Sequence, residues 1–161
     1  MCLYPKIIMN PKYKENKKNG GIIPPIFDRR VLYLPIGCGG CIECTKKKSI
    51  EWKVRLYEDV KYNTNGKFIT LTFSNESYTK LYKEIKRENE LNGYTLDNAI
   101  ATLAVRRFLE RWRKKYKVSV RHWLITELGH NGSENIHLHG IIWTDDVQEI
   151  ENIWKYGWVF D

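Results

Sequence analysis

Asn135-Ile-His-Leu-His-Gly-Ile-Ile-Trp143, within a strand expected from Ile136 to Thr144, constrains this chain more than any other stretch. Apolar residues alternate there with histidines, and a period of two fits an extended strand with one face in a core. Ile136, Leu138 and Ile142 then enter the core, while His137 and His139 share the opposite face. Side chains at i and i+2 leave their backbones about 6–7 Å apart, so two imidazoles can converge on one ion. Gly140 removes a side chain beside them, leaving room for the backbone of a ligand. Arg121 to Leu128 reads as a preceding strand, joined by the polar turn Gly129-His-Asn-Gly-Ser-Glu-Asn135. In that hairpin Trp123, Ile125 and Glu127 share a face, which sets the Glu127 carboxylate beside the histidines. Two imidazoles and one carboxylate leave positions open for water and substrate oxygens, as a catalytic Mg2+ or Mn2+ site requires. His130, in the turn, is an alternative ligand, and solvated strand histidines would produce the same pattern without an ion.

Helices and strands interleave through the rest of the chain. The first 35 or so residues look loop-like, with Gly20-Gly21 and Pro24-Pro25, and Val31 to Leu34 could form a short edge strand closed by Pro35. A helix is expected from Glu43 to Lys61 with Trp52, Leu56 and Val60 on one side, and a strand from Lys67 to Phe73. Ser74 to Asn89 reads as a helix with Ser74 or Asn75 as N-cap. A longer helix starts after Thr95 or Asp97 and runs to Tyr116, and Val147 to Trp154 forms a last short one. The class is therefore α+β: an antiparallel sheet with helices packed on it, following an N-terminal Cys-rich segment.

A length of 161 residues suits one compact domain. Its apolar and aromatic content excludes a disordered chain, and no stretch is apolar for long enough to span a membrane. The first residues show no secretory signal, so a cytoplasmic protein is the default. Net charge is +8, and the segment from Arg106 to Arg121 carries most of it through Arg106, Arg107, Arg111, Arg113, Lys114, Lys115, Lys117 and Arg121 against Glu110. A localised basic stripe attracts polyanions, nucleic acid above all, although a solvated helix face has the same composition. Cys38-x-x-Cys41-x-x-Cys44, with Cys2 as a fourth thiol, reads in a cytosolic protein as a structural Zn2+ site. Iron–sulfur ligation and metal-free reduced thiols stay open.

Ile136-His137-Leu138-His139-Gly140-Ile141 resembles the His-hydrophobic-His motif of HUH endonucleases, the rolling-circle replication initiators. The resemblance is closer still to the initiators of microviruses, small circular single-stranded DNA phages of bacteria. It is carried by Met1-Cys-Leu-Tyr-Pro5, Gly37-Cys-Gly-Gly-Cys-Ile-Glu-Cys44 with Glu51-Trp52 and Arg55, Phe68-Ile-Thr-Leu-Thr-Phe73, and Thr126-Glu-Leu-Gly129. The resemblance implies a Rep-like sandwich in which His137, His139 and Glu127 ligate the metal and Phe68 to Phe73 forms a central strand near the DNA. It implies nicking and joining of single-stranded origin DNA through a 5′-phosphotyrosine, in the cytoplasm of the bacterial host and alongside host replication machinery. Residues 1–45 would form the Cys-rich segment and 46–161 the endonuclease core.

The family's nucleophile lies on a helix after the histidine strand. Only Tyr156 follows His139 here, beside Gly157 and without a following lysine, and packing with Trp154 and Trp158 is its expected role. Tyr78 and Tyr82 imitate a paired-tyrosine motif but precede the histidines. The nucleophilic tyrosine is therefore expected beyond this chain, which alone could be inactive. A non-catalytic module that binds single-stranded or origin DNA is the alternative.

Overall fold

The structure, a computed structural model, describes residues 2–88, 90–129 and 135–161. Instead of one domain, the chain divides into two compact units, Met1–Lys61 and Tyr62–Asp161. The division falls at the end of the first helix, whereas the sequence reading set the boundary within its first turn, at residue 45.

The second unit is built on a four-stranded sheet. β3 (Gly66–Leu71), β4 (Arg121–Leu128), β5 (Ile136–Trp143) and β6 (Val159–Phe160) lie in the order β4-β5-β3-β6, every neighbouring pair antiparallel. Alternation decides which side chains go inward. Ile69 and Leu71 of β3 and Ile136, Leu138 and Ile142 of β5 are buried together with Leu81 and Ile85 of α2 (Asn75–Glu88). Leu96, Ile100, Ala104, Phe108 and Trp112 of α3 (Gly93–Tyr116) and Ile150 and Ile153 of α4 (Gln148–Ile153) complete that core. Each such large side chain contributes about 1.5–3 kcal/mol by leaving water. All three helices thus supply the core face, and the odd-numbered residues of β5, the histidines among them, lie on the other face.

Local chemistry sets the element ends. Ser74 Oγ accepts from the Ser77 N–H at 3.2 Å, the N-cap expected for α2. The longer helix begins at Gly93, ahead of Thr95 and Asp97, and the Asp97 carboxylate accepts from the Tyr78 hydroxyl instead of capping it. It ends where Lys117 turns left-handed (φ 60°) and donates to the Arg113 carbonyl at 2.9 Å.

The first unit comprises β1 (Lys6–Met9), an antiparallel partner of β2 (Tyr33–Ile36), three short 3-10 turns, and α1 (Ile42–Tyr62). β1 lies where the sequence suggested loop, and Pro35 sits inside β2 rather than closing it. Among the described residues of this unit none is buried. The expected inward side of α1 is no exception: Trp52 and Val60 are exposed and Leu56 is half-buried. Ion pairs Lys46–Glu43 and Lys47–Glu51, both 3.9 Å, and Arg55 stacked 5.4 Å from the Trp52 ring decorate the helix surface instead.

Candidate metal centres and the open sheet face

The β4–β5 register pairs Glu127 with His137 and Ile125 with His139, and the β3–β5 register pairs Thr70 with His139. Three adjacent strands therefore deliver Glu127, His137, His139 and Thr70 to one patch of the face opposite the helices. Glu127 Oε2 lies 3.6 Å from His139 Nε2, and the two imidazoles stand edge to face, 4.7 Å apart at their centroids. One donor atom from each of Glu127, His137 and His139 lies within 4.8 Å of the other two. The three residues singled out in the sequence thus come together; His130 lies outside the described residues.

Hydrogen bonds aim these rings. His137 Nδ1 is 3.1 Å from the Asn135 carbonyl, which can only accept, so Nδ1 carries the proton and Nε2 offers its lone pair. His139 Nδ1 is engaged by the Thr70 hydroxyl at 2.9 Å, leaving Nε2 on the Glu127 side. Outer partners of this kind fix the tautomer and orientation of metal-ligating histidines. Six-coordinate bonds of about 2.1 Å put neighbouring ligand atoms about 3 Å apart. Two imidazole nitrogens and a carboxylate oxygen gathered within 4.8 Å are a donor set compatible with a divalent ion.

The same face exposes aromatic rings. Phe68 stacks on His139 with centroids 6.0 Å apart and planes 15° apart. Trp158 and Phe160 line the cleft beside the histidines with Thr70 and Thr72. Phe68, Trp158 and Phe160 are 63%, 63% and 58% exposed, which is unusual for three large rings close to one polar cluster. Further along, Arg121 lies 5.5 Å from the Trp143 ring on the same face. The sequence reading gave Trp158 a packing role and missed Thr70 and Phe160 as members of the site. Only the polar phase of the β3 alternation hinted at Thr70.

Gly140 serves a different purpose from the one expected. A Cβ there would stand 1.9 Å from the Trp123 carbonyl oxygen, so the glycine admits the neighbouring strand, not a ligand backbone.

No tyrosine lines the cleft among the described residues. The Tyr156 hydroxyl accepts from Arg111 at 3.2 Å, and its ring packs on Trp154 and Phe73. The Tyr78 hydroxyl donates to Asp97, and burial followed by that carboxylate pushes its pKa up to about 12, the wrong direction for a nucleophile. Tyr82 stacks beside it at 6.4 Å.

The basic stripe is split by the fold. Arg107 pairs with Glu84, and Lys115 pairs with Glu149. Arg111 donates from Nε to the Ile153 carbonyl at 3.0 Å. Arg106, Arg113 and Lys114 are exposed on α3, which packs against the helical face of the sheet, whereas Arg121 shares the open face with the histidines.

The cysteines form a second cluster, within the first unit. Pairing of Lys6 with Ile36 brings the residues before β1 and after β2 to one end of the ladder, where Cys2 meets Cys38 and Cys41. Cys44 joins them from the first turn of α1. All four sulfurs lie within 4.8 Å of one another, and Cys2 Sγ is 3.7 Å from Cys41 Sγ. Backbone N–H groups point at sulfur: Cys38 donates to Cys2 at 3.2 Å and Cys41 to Cys38 at 3.3 Å. Gly39, at φ 84°, makes the tight turn between the latter two. N–H groups of Leu3 and Cys44 lower the Cys41 thiol to about 6, favouring the thiolate that binds metal.

No helix among the described residues is long and apolar enough to cross a membrane. Neither a family model, nor a curated protein, nor a solved structure matches the chain.

Proposed function

We propose that the second unit is the metal-binding half of an HUH-type DNA endonuclease that nicks and joins single-stranded DNA in rolling-circle replication of a microvirus-like phage. The observation that carries this reading is the Glu127–His137–His139 cluster on a sheet face that also exposes Phe68, Trp158 and Phe160. Glu127, His137 and His139 would hold Mg2+ or Mn2+, which supplies charge stabilisation at a phosphodiester and aligns it for in-line attack. The three exposed rings offer stacking faces to unpaired bases, a mode open to single strands and closed to a duplex. Arg121, on the same face, offers a charge to the backbone, and the exposed cations of α3 add attraction at longer range. Neither Tyr78 nor Tyr156 serves as the attacking group in this reading, because their hydroxyls are held by Asp97 and Arg111. The four thiols hold a separate, structural Zn2+: soft sulfur donors select it, while the mixed nitrogen and oxygen set suits the harder ion.

Covalent capture tests the reading. With Mn2+ and single-stranded circular phage DNA, the chain fused to a tyrosine-bearing helix is expected to form a 5′-phosphotyrosine adduct, and His137→Ala to abolish it. The 161-residue chain is expected to bind the DNA without an adduct. An adduct retained in full by His137→Ala overturns the site.

A further inference from the structure

We infer that the thiol-bound metal is the core of the first unit: residues 2–61 hold their fold only with the ion in place. The inference rests on the structural-zinc reading above and goes beyond it.

A stretch of about 60 residues ordinarily needs a buried apolar cluster, a disulfide framework or a metal to stay folded. Among its described residues the first unit buries none, whereas the second has a continuous core. Nor do its elements stand alone. A two-stranded ladder such as β1–β2 is marginal in water, and a solvated helix the length of α1 is little better without a packed face. A disulfide framework is absent too: all four cysteines are free thiols.

What ties the parts together is sulfur. Cys2 extends from the start of β1, Cys38 and Cys41 belong to the segment after β2, and Cys44 belongs to α1. One ion bound to all four joins every regular strand and helix of the unit at a single point. The spacing agrees, since four bonds of about 2.3 Å in a tetrahedron put sulfurs about 3.8 Å apart, and Cys2 and Cys41 stand at 3.7 Å. The N–H groups of Cys38 and Cys41 already donate to neighbouring sulfurs, an outer shell that steadies thiolate ligands. Metal-binding free energy of this kind becomes folding free energy, because an unfolded chain has no preformed site.

The test uses the 161-residue chain. Zinc content and the thiolate charge-transfer bands of the Co2+-substituted protein report occupancy. Hydrogen exchange followed by mass spectrometry reports folding, peptide by peptide. One zinc per chain is expected at the thiols, in the wild type and in His139→Ala alike. Stripping it with a chelator, or introducing Cys41→Ser, is expected to drop protection in residues 33–61 to that of an unstructured chain and to leave β3, α3 and β5 protected. If neither zinc nor Co2+ thiolate bands appear, the zinc reading itself fails. If zinc is bound but its removal from the wild type leaves α1 protected, the zinc reading stands and the folding inference is overturned.

Discussion

Thr70 occupies Nδ1 of His139 as the Asn135 carbonyl occupies Nδ1 of His137, and so leaves Nε2 of His139 on the Glu127 side. Removing such an outer partner typically costs 10–100-fold in metal affinity. Thr70→Val, which keeps the shape and deletes the hydroxyl, is therefore expected to weaken Mn2+ binding about 10-fold, and Thr70→Ser to restore it. Equal affinities in a titration of the three proteins would remove Thr70 from the site. His137, His139 and Glu127 were legible in the sequence because period-two alternation and one hairpin fix their faces, using residues no more than 12 positions apart. Thr70 was not, since its pairing with His139 spans 69 positions and depends on β3 docking beside β5. The purpose of Gly140 was hidden for the same reason: the atom it makes room for belongs to Trp123 on another strand.

Elements with a strong internal rhythm were readable, and those defined by their partners were not. β3, β4 and β5 lie within two residues of their expected spans because apolar and polar residues alternate along them. β1 and β6 are strands only because β2 and β3 offer them hydrogen bonds. α4 is six residues long and is tied to the end of α3 by Glu149, which accepts from Lys115 and, at 2.5 Å, from the Tyr116 hydroxyl. Lys115 first, then Tyr116 and Asn152, hold the Glu149 carboxyl at about 2, well below its usual 4.5. A carboxylate depressed in the folded state stabilises fully above its unfolded pKa and loses that contribution as pH falls through the folded value. The Glu149 contribution is thus present at neutral pH and disappears between about pH 4.5 and pH 2. Glu149→Gln is expected to lower stability at pH 7 and to flatten that part of the acid limb in urea unfolding. An unchanged pH profile would detach α4 from this interaction.

At the scale of the whole molecule, the chain places two chemically different sets of metal-ligating side chains in its two units. Soft thiols gather at the end of a two-stranded ladder in residues 2–61, and a carboxylate with two imidazoles gathers on a four-stranded sheet in residues 62–161. Composition pointed to one basic domain, but the absence of buried residues in the first unit could not be read from its apolar content, which is ordinary. The +8 charge is also less concentrated in effect than in sequence, because Arg107 and Lys115 are spent on internal ion pairs and Arg111 on internal hydrogen bonds. Everything proposed about DNA chemistry depends on one premise, that Glu127, His137 and His139 bind a divalent ion together. Calorimetric titration of Mn2+ into the zinc-loaded chain tests it most directly. The wild type is expected to bind one Mn2+ per chain, and Glu127→Ala and His139→Ala each to weaken that binding at least 10-fold, on the scale of losing a ligand or its support. Wild-type affinity in a chain carrying both substitutions would contradict it.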